Sequence, residues 1–376
     1  MKVVVAADKF KGSLTAREVA DAVRAGVTRS APLARVVRVP VADGGDGTLD
    51  AALSAGFERR PVTVTGPTGD PVHTAYARRG QMAVVELADA SGLQRLPGPP
   101  APWVAGTLGT GQLLATAIAD GCRQIVLGVG GSCSTDGGAG LVAALGARLL
   151  DADGKPVAAG AAGLRDVHHL DLTSLRARLA GVSVVLACDV DNPLLGPGGA
   201  AAVYGPQKGA GPDDVPLLDA GLARWADLVA RTTGQDLRDA PGTGAAGGAG
   251  FAALALLGAE LCSGVQTVLD LVGFDDVARS ADLVVTGEGS LDEQSLRGKA
   301  PIGVVTAAMR LGIPVVGVCG RTTLDPDTLA HAGFRRVWSL ADREPDPAVS
   351  MRDAARLLTD VGVDLGRTLH QVTAAH

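Results

Sequence analysis

A three-part pattern recurs along this chain: an apolar run of strand length, a Gly-rich polar turn, then a helical stretch. The run 3–7 leads to Thr15, which with Glu18 three residues on makes a capping box and opens a helix. The run 36–41 enters Asp43-Gly44-Gly45-Asp46-Gly47-Thr48, followed by a helical pattern over 49–55. The run 124–129 enters Gly130-Gly131-Ser132 and predicts a helix through Leu150. The runs 182–187, 283–286 and 314–318 end in Cys188-Asp189-Val190-Asp191-Asn192-Pro193, Gly287-Glu288-Gly289-Ser290 and Cys319-Gly320. Such alternation predicts α/β layers with mainly parallel sheets. In those sheets ligands gather outside the carboxyl ends of the strands, where these polar turns fall.

One stretch breaks the pattern. The segments 63–64, 72–77 and 82–87 are closely spaced strand candidates with turns at 66–69 and Gly80, which predicts antiparallel pairing. At 376 residues the chain exceeds one ordinary core. The expected organisation is a discontinuous domain, 1–59 plus 273–376, with a second α/β domain inserted over 60–272. The loop 93–103, with Pro97, Pro99, Pro100 and Pro102, reads as a rigid connector, and 348–376 reads as a helical tail.

Charge narrows the function. A net charge of −6 and 3% aromatic residues leave neither the basic footprint nor the stacking surface that nucleic-acid binding needs. Positive charge is written almost wholly as Arg, 28 against six Lys, yet Lys9, Lys11, Lys208 and Lys299 all sit beside Gly-rich turns. There a compact ammonium serves as a point charge for phosphate or carboxylate. Five scattered cysteines without a Cys-x-x-Cys predict neither a disulfide framework nor a zinc site, and a reducing cytoplasm is the simplest expectation. Residues 1–7 lack the pattern of a signal peptide. The uncharged window 240–259 holds Pro241 and six glycines, so a Gly-rich loop feeding a buried helix over 251–259 fits better than a membrane span.

The carboxylates carry the chemistry. Asp43 and Asp46 share a Gly-rich turn, Asp136 lies in Ser134-Thr135-Asp136-Gly137-Gly138, Asp189 and Asp191 close an apolar strand, and Glu288 and Asp292 flank Gly289. Each alone is an ordinary cap or turn residue. Together with Lys11, Lys208 and Lys299 they form the mixture that magnesium-nucleotide chemistry requires. No P-loop is present, because Glu293 and Ala300 stand where Gly and Ser or Thr are needed. The pattern Gly242, Gly244, Gly247 follows Pro241 rather than a strand, so a dinucleotide fingerprint fails on context. All six histidines lie outside these turns, and the proton acceptor is therefore expected to be a carboxylate. Asp189, fixed between a buried strand and Asn192-Pro193, is one candidate and Asp43 the other. A metal-dependent phosphatase or a non-enzymatic sugar-acid-binding regulator would use similar residues.

Taken in order, these motifs resemble the bacterial type I glycerate kinase family. The resemblance rests on Asp8-Lys9-Phe10-Lys11-Gly12-Ser13-Leu14, Ala42-Asp43-Gly44-Gly45-Asp46-Gly47-Thr48, and Gly130-Gly131-Ser132 with Thr135-Asp136-Gly137-Gly138. It continues through Asp189-Val190-Asp191-Asn192-Pro193, Pro206-Gln207-Lys208-Gly209, Gly244-Ala245-Ala246-Gly247-Gly248, and Thr286-Gly287-Glu288-Gly289 with Gly298-Lys299-Ala300-Pro301. Lys9, Asp46 and Ser290 depart from the commoner Ser, Glu and Arg. The resemblance implies transfer of the γ-phosphoryl of ATP to D-glycerate with Mg2+, giving 2-phosphoglycerate, with the 3-hydroxyl as the alternative acceptor. It implies a Rossmann-like domain carrying an inserted flavodoxin-like domain, an interdomain active site, and a monomer or homodimer. Asp189, Lys11 and Asp43 are then the catalytic candidates. Asp8, Ser13, Asp46, Ser132, Asp136, Asn192 and Lys208 are candidates for substrate. Gly244, Gly247, Gly248, Glu288, Gly289 and Lys299 are candidates for nucleotide, and Asp43, Asp189 and Glu288 for metal.

Overall fold

The structure, a computed structural model, describes residues 1–373. It separates into two compact units. Unit 1 takes Met1–Asp43, Asp50–Ala55 and the chain from Val265 on; unit 2 takes Gly44–Leu49 and Gly56–Gly264. The sequence reading divides the chain at 59/60 and 272/273, whereas the units divide at 55/56 and 264/265, with segment 44–49 grouped in unit 2.

Among the described residues the strands are, in chain order, β1 (Lys2–Val5), β2 (Arg35–Arg38), β3 (Glu58–Thr65), β4 (Pro71–Arg79), β5 (Met82–Glu86), β6 (Gln124–Gly128), β7 (Arg148–Leu150), β8 (His169–Asp171), β9 (Ser183–Ala187), β10 (Glu260–Cys262), β11 (Leu283–Leu291), β12 (Val315–Thr322) and β13 (Phe334–Ser339). Unit 1 holds a fully parallel sheet in the order β13-β12-β11-β1-β2. The chain steps from β1 outward to β2, then returns to the other side of β1 as β11, so the strand order reverses between β1 and β11. Successive side chains of β1 point to opposite faces. Val3 and Val5 pack with Val19, Val23, Leu357 and Leu358 on one face. Val4 and Ala6 pack with Val268, Phe274 and Val304 on the other. Burial on both faces is why these strands read as unbroken apolar runs. The helix Ala16–Ser30 opens on Thr15 with the capping box to Glu18 in place.

The strand order of unit 1 is the flavodoxin-like variant of the doubly wound plan, 2-1-3-4-5. Unit 2 has the order β10-β9-β6-β5-β4-β3. Its parallel strands β5, β6, β9 and β10 advance in one direction without reversal, and β3 and β4 add an antiparallel edge. The expected labels are corrected accordingly: the flavodoxin-like order belongs to the discontinuous unit, because only there do crossovers run to both sides of the first strand.

Three local readings change. Strand β3 starts at Glu58, well before 63, and tolerates Pro61 because it is the outermost strand of its sheet. The helix after β6 runs Ala139–Ala144 and stops at Gly146, whose φ of 109° a helix does not accept; Arg148–Leu150 is then a strand paired with β8. The helix Ala245–Leu256 is broken by left-handed Ala246, Gly247 and Gly248, so its regular turns begin after 248. The tail folds as Pro347–Arg352 and Ala354–Thr373, and the expected helix over 374–376 lies outside the described residues. No helix among the described residues is long and apolar enough to cross a membrane.

Candidate active site

The strand order reverses between β1 and β11, and at such reversals doubly wound sheets bind ligands outside the carboxyl ends of their strands. Asp8 follows β1, Asp43 follows β2, and Glu288 lies on β11. The Asp8 amide donates to Gly287 O at 2.9 Å, which ties the two central strand ends together. Asp8 Oδ1 accepts from Lys9 N at 2.7 Å. Burial, together with the charges of Asp43 and Glu288, pushes the Asp8 carboxyl up to about 7, against the opposing pull of Lys9. Glu288 is also raised, chiefly by burial, while Ser295 and Lys299 pull it back. Its Oε1 is buried without a hydrogen-bond partner.

The same edge carries the unit's candidate cations. Lys11 is exposed, and its backbone passes Gly289 so closely that a Cβ there would lie 3.2 Å from Lys11 N. Lys299 is the N-cap residue of the helix Ala300–Arg310. Ser13 donates to Met351 O at 2.8 Å, a bond that anchors its loop to the C-terminal region. Unit 1 therefore gathers Asp8, Lys11, Asp43, Glu288, Gly289 and Lys299 around its strand ends.

Unit 2 holds the remaining candidates, with different exposures. Asp189 is an exposed carboxylate just past β9; its Oδ1 accepts from Ser263 Oγ at 2.8 Å and from Gly264 N at 2.9 Å, the first residue of the helix Gly264–Leu271. Asn192 bridges Tyr204 OH at 2.6 Å and Gly198 O at 2.8 Å, which stiffens the turn after Asp189. Gly244 N donates to Asn192 O at 2.9 Å, and a Cβ on Gly244 would meet Pro193 O at 2.2 Å. Gly247 O accepts from Gly137 N at 3.0 Å, and a Cβ on Gly247 would fall 2.0 Å from Ser134 O. Gly244, Gly247 and Gly248 are thus packed against the 134–137 and 192–193 turns.

Three expected substrate ligands are internal. Asp136 is fully buried; Oδ2 accepts from Thr107 N, Thr107 Oγ1 and Gly140 N, and Oδ1 accepts from Gly138 N. Desolvation raises its pKa despite those donors. Lys208, 1% exposed, donates from Nζ to Ser132 Oγ at 2.8 Å and to Ser134 O at 2.7 Å. Burial lowers it to about 8, with Cys133 and Asp136 opposing the shift. Ser132 is itself buried. Asp46 is half-buried on the segment 44–49. That segment is held by a residue the sequence reading passes over: Glu86, at the end of β5, accepts from Gly47 N at 3.1 Å and Leu49 N at 3.0 Å through Oε2.

The chemistry of the unit 1 cluster fits a divalent cation. Burial, then the charges of Asp43 and Glu288, raise Asp8, and Glu288 presents a buried oxygen that lacks a donor. Among the described residues no three or more His, Cys, Asp or Glu are arranged to cage a metal alone. Magnesium rarely needs such a cage, because it takes one or two carboxylates and completes its shell with phosphate and water.

Known proteins carry the same chain plan. Residues 3–370 match the glycerate kinase family. A glycerate kinase of Bacillus subtilis (strain 168) is 41% identical over 358 residues, 94% of this chain and 93% of that one. A glycerate 2-kinase of Escherichia coli (strain K12) is 42% identical over 345 residues, 90% of each chain. A crystal structure from Salmonella typhimurium LT2, provisionally named glycerate kinase 2, superposes with a TM-score of 0.85 at 39% identity over 100% of both chains. Matched over nearly its full length by the family and by these relatives, the chain belongs to the glycerate kinase family.

Proposed function

We propose that this protein transfers the γ-phosphoryl group of ATP to the 2-hydroxyl of D-glycerate, giving 2-phosphoglycerate and ADP, and that it works in the cytoplasm. The observation that carries the reading is the crowding of Asp8, Asp43 and Glu288, with Lys11 and Lys299, at the strand-order reversal of unit 1. Phosphoryl transfer asks a protein mainly for positioning and charge stabilisation. Magnesium, when bound, neutralises charge on the phosphoryl oxygens. Asp43 and Glu288 are the residues to hold it, with Asp189 as the unit 2 alternative. Lys299, the N-cap residue of a helix, suits phosphate as a compact point charge. Lys11, exposed at the end of a long side chain, suits phosphate or the glycerate carboxylate.

Asp189 is the proposed acceptor of the hydroxyl proton, because Ser263 and Gly264 fix the orientation of its carboxylate. A specific observation favours Asp8 as the second reading: a carboxyl held near 7 is well matched to proton transfer at neutral pH. Asp189→Asn and Asp8→Asn decide between them, since the base variant loses kcat with little change in KM for either substrate. The overall reading is tested by incubating the protein with ATP, magnesium and D-glycerate and identifying the product by 31P NMR. Formation of 3-phosphoglycerate alone would overturn the regiochemistry, and no magnesium-dependent transfer to glycerate would overturn the kinase reading.

A further inference from the structure

We infer that Glu86 is a positioning residue for the proposed phosphoryl transfer: it locks the segment 44–49, which bears Asp46 and directly follows Asp43, into a glycine-faced socket at the strand ends of unit 2. The inference rests on the proposed function for its kinetic consequence, and on geometry alone for the socket.

The socket is built from backbone. A Cβ on Gly44 would lie 2.7 Å from Gly264 Cα and 2.8 Å from Ala187 O. A Cβ on Gly128 would lie 2.5 Å from Gly44 O, and one on Gly130 would lie 2.5 Å from Gly45 Cα. Real Cβ contacts do not reach such distances, so the segment lies against the ends of β6 and β9 and the turn after β10 only because those positions carry no side chain. The segment also closes on itself, with Thr48 Oγ1 donating to Gly45 O at 2.7 Å. The backbone pairs Thr48 N with Gly45 O at 3.1 Å. Glu86 takes the amides on either side: it is 3% exposed, and its Oε2 accepts from Gly47 N and Leu49 N, which flank buried Thr48.

Glu86 sits at the last position of β5, in register with Gly128 on β6. A carboxylate rising from one strand end and a bare glycine on the next make a notch that fits one extended turn of chain. Bonds from a buried carboxylate to two amides are charge-assisted and stronger than neutral ones. With them, the rotation of the 44–49 backbone is fixed, and with it the direction in which Asp46 projects. The tolerance of a reacting centre to misplacement is small: an error of about 1 Å can cost on the order of 100-fold in rate.

The test combines amide exchange with kinetics on the full chain. Glu86→Ala removes the one oxygen that accepts from both amides; Glu86→Gln keeps one carbonyl oxygen able to accept from both amides while removing the charge; Glu86→Asp keeps the charge on a shorter arm. Hydrogen exchange, followed on the peptide spanning 44–49, reads the socket without any reference to activity. Expected are faster exchange and a roughly 10- to 100-fold lower kcat in Glu86→Ala, KM for ATP within about twofold, and recovery of both readouts in Glu86→Gln. Should Glu86→Ala not fold, Glu86→Asp takes its place, with the same loss of protection and of kcat. Unchanged exchange, or unchanged kcat in a variant whose segment has loosened, overturns the positioning role. So does a Glu86→Gln as slow as Glu86→Ala with normal protection, since the charge itself would then be in use. If the unaltered protein phosphorylates no glycerate, the proposed function falls, while the exchange measurement still decides the socket.

Discussion

Thr107 gives Asp136 two hydrogen bonds to one oxygen, its amide and its hydroxyl both lying 2.8 Å from Oδ2. The hydroxyl in turn accepts from Leu141 N at 2.9 Å, so a carboxylate, a hydroxyl and a helix amide form a closed relay inside unit 2. Asp136→Asn leaves an NH2 group facing at least one N–H donor. An unsatisfied buried donor costs about 1–3 kcal/mol. The urea midpoint should fall by the corresponding amount at constant m-value, and an unchanged midpoint would refute the relay's contribution.

Lys208 makes stability depend on pH in a defined window. Burial lowers its ammonium from 10.5 to about 8. Between those values the unfolded chain holds a proton that the folded chain has released, so stability rises with pH across the window. The rise has an upper limit of about 3.5 kcal/mol, each pKa unit corresponding to about 1.4 kcal/mol. Its neighbour Cys133, pushed up to about 12 by burial, stays protonated throughout. Urea unfolding at pH 7.5 and pH 10 should show the unaltered protein gaining on Lys208→Met at the higher pH. Equal pH slopes in the two proteins would show that Lys208 does not titrate there.

Gly26 and Gly362 bring two helices of unit 1 into backbone contact. A Cβ on Gly26 would lie 2.0 Å from Thr359 O and 2.7 Å from Gly362 Cα, and neither is the end of a flexible side chain. Gly26→Ala must therefore push Ala16–Ser30 away from Ala354–Thr373. Although alanine is the better helix former by about 1 kcal/mol, overpacking of about 1–3 kcal/mol should exceed that gain. Thermal denaturation checks the sign: a variant with a higher Tm contradicts the close approach.

Lys11 is exposed beside the unit 1 strand ends, where its removal should leave folding intact. A charge-assisted hydrogen bond to phosphate or carboxylate is worth about 1.5–3 kcal/mol. Lys11→Ala should then lose roughly 10- to 100-fold in kcat/KM with an unaltered melting temperature. Near-normal kinetics would make Lys11 a surface cation.

What could be read from the chain follows the physics of burial. Strands β1, β6, β9 and β11 are covered on both faces or lie centrally in their sheets, so they appear as plain apolar runs. Strand β3 does not, because an edge accepts Arg59, Arg60 and Pro61. The strand-end turns were legible because Gly, Asp and Lys cluster there in sequence. Glu86 and Thr107 were not, since each acts on a partner far along the chain and carries no local motif. Exposure was equally hidden: Lys208 and Lys11 look alike in composition, yet one is internal and the other faces solvent. The left-handed Ala246 also leaves no sign, because alanine is a poor guide to a positive φ.

The grouping of Gly44–Leu49 with unit 2 bears on modularity. An inserted domain is ordinarily excised with two cuts, but a fragment beginning at Gly56 and ending at Gly264 would leave six residues of its own fabric behind. Its Glu86 would lose the amides of Gly47 and Leu49, and Gly128 and Gly130 would be bare for no neighbour. Unit 2 is therefore portable only together with a short peptide that the chain draws from elsewhere. Separate expression, recombination between relatives, or transplantation to another host has to carry 44–49 along, grafted covalently or supplied in trans.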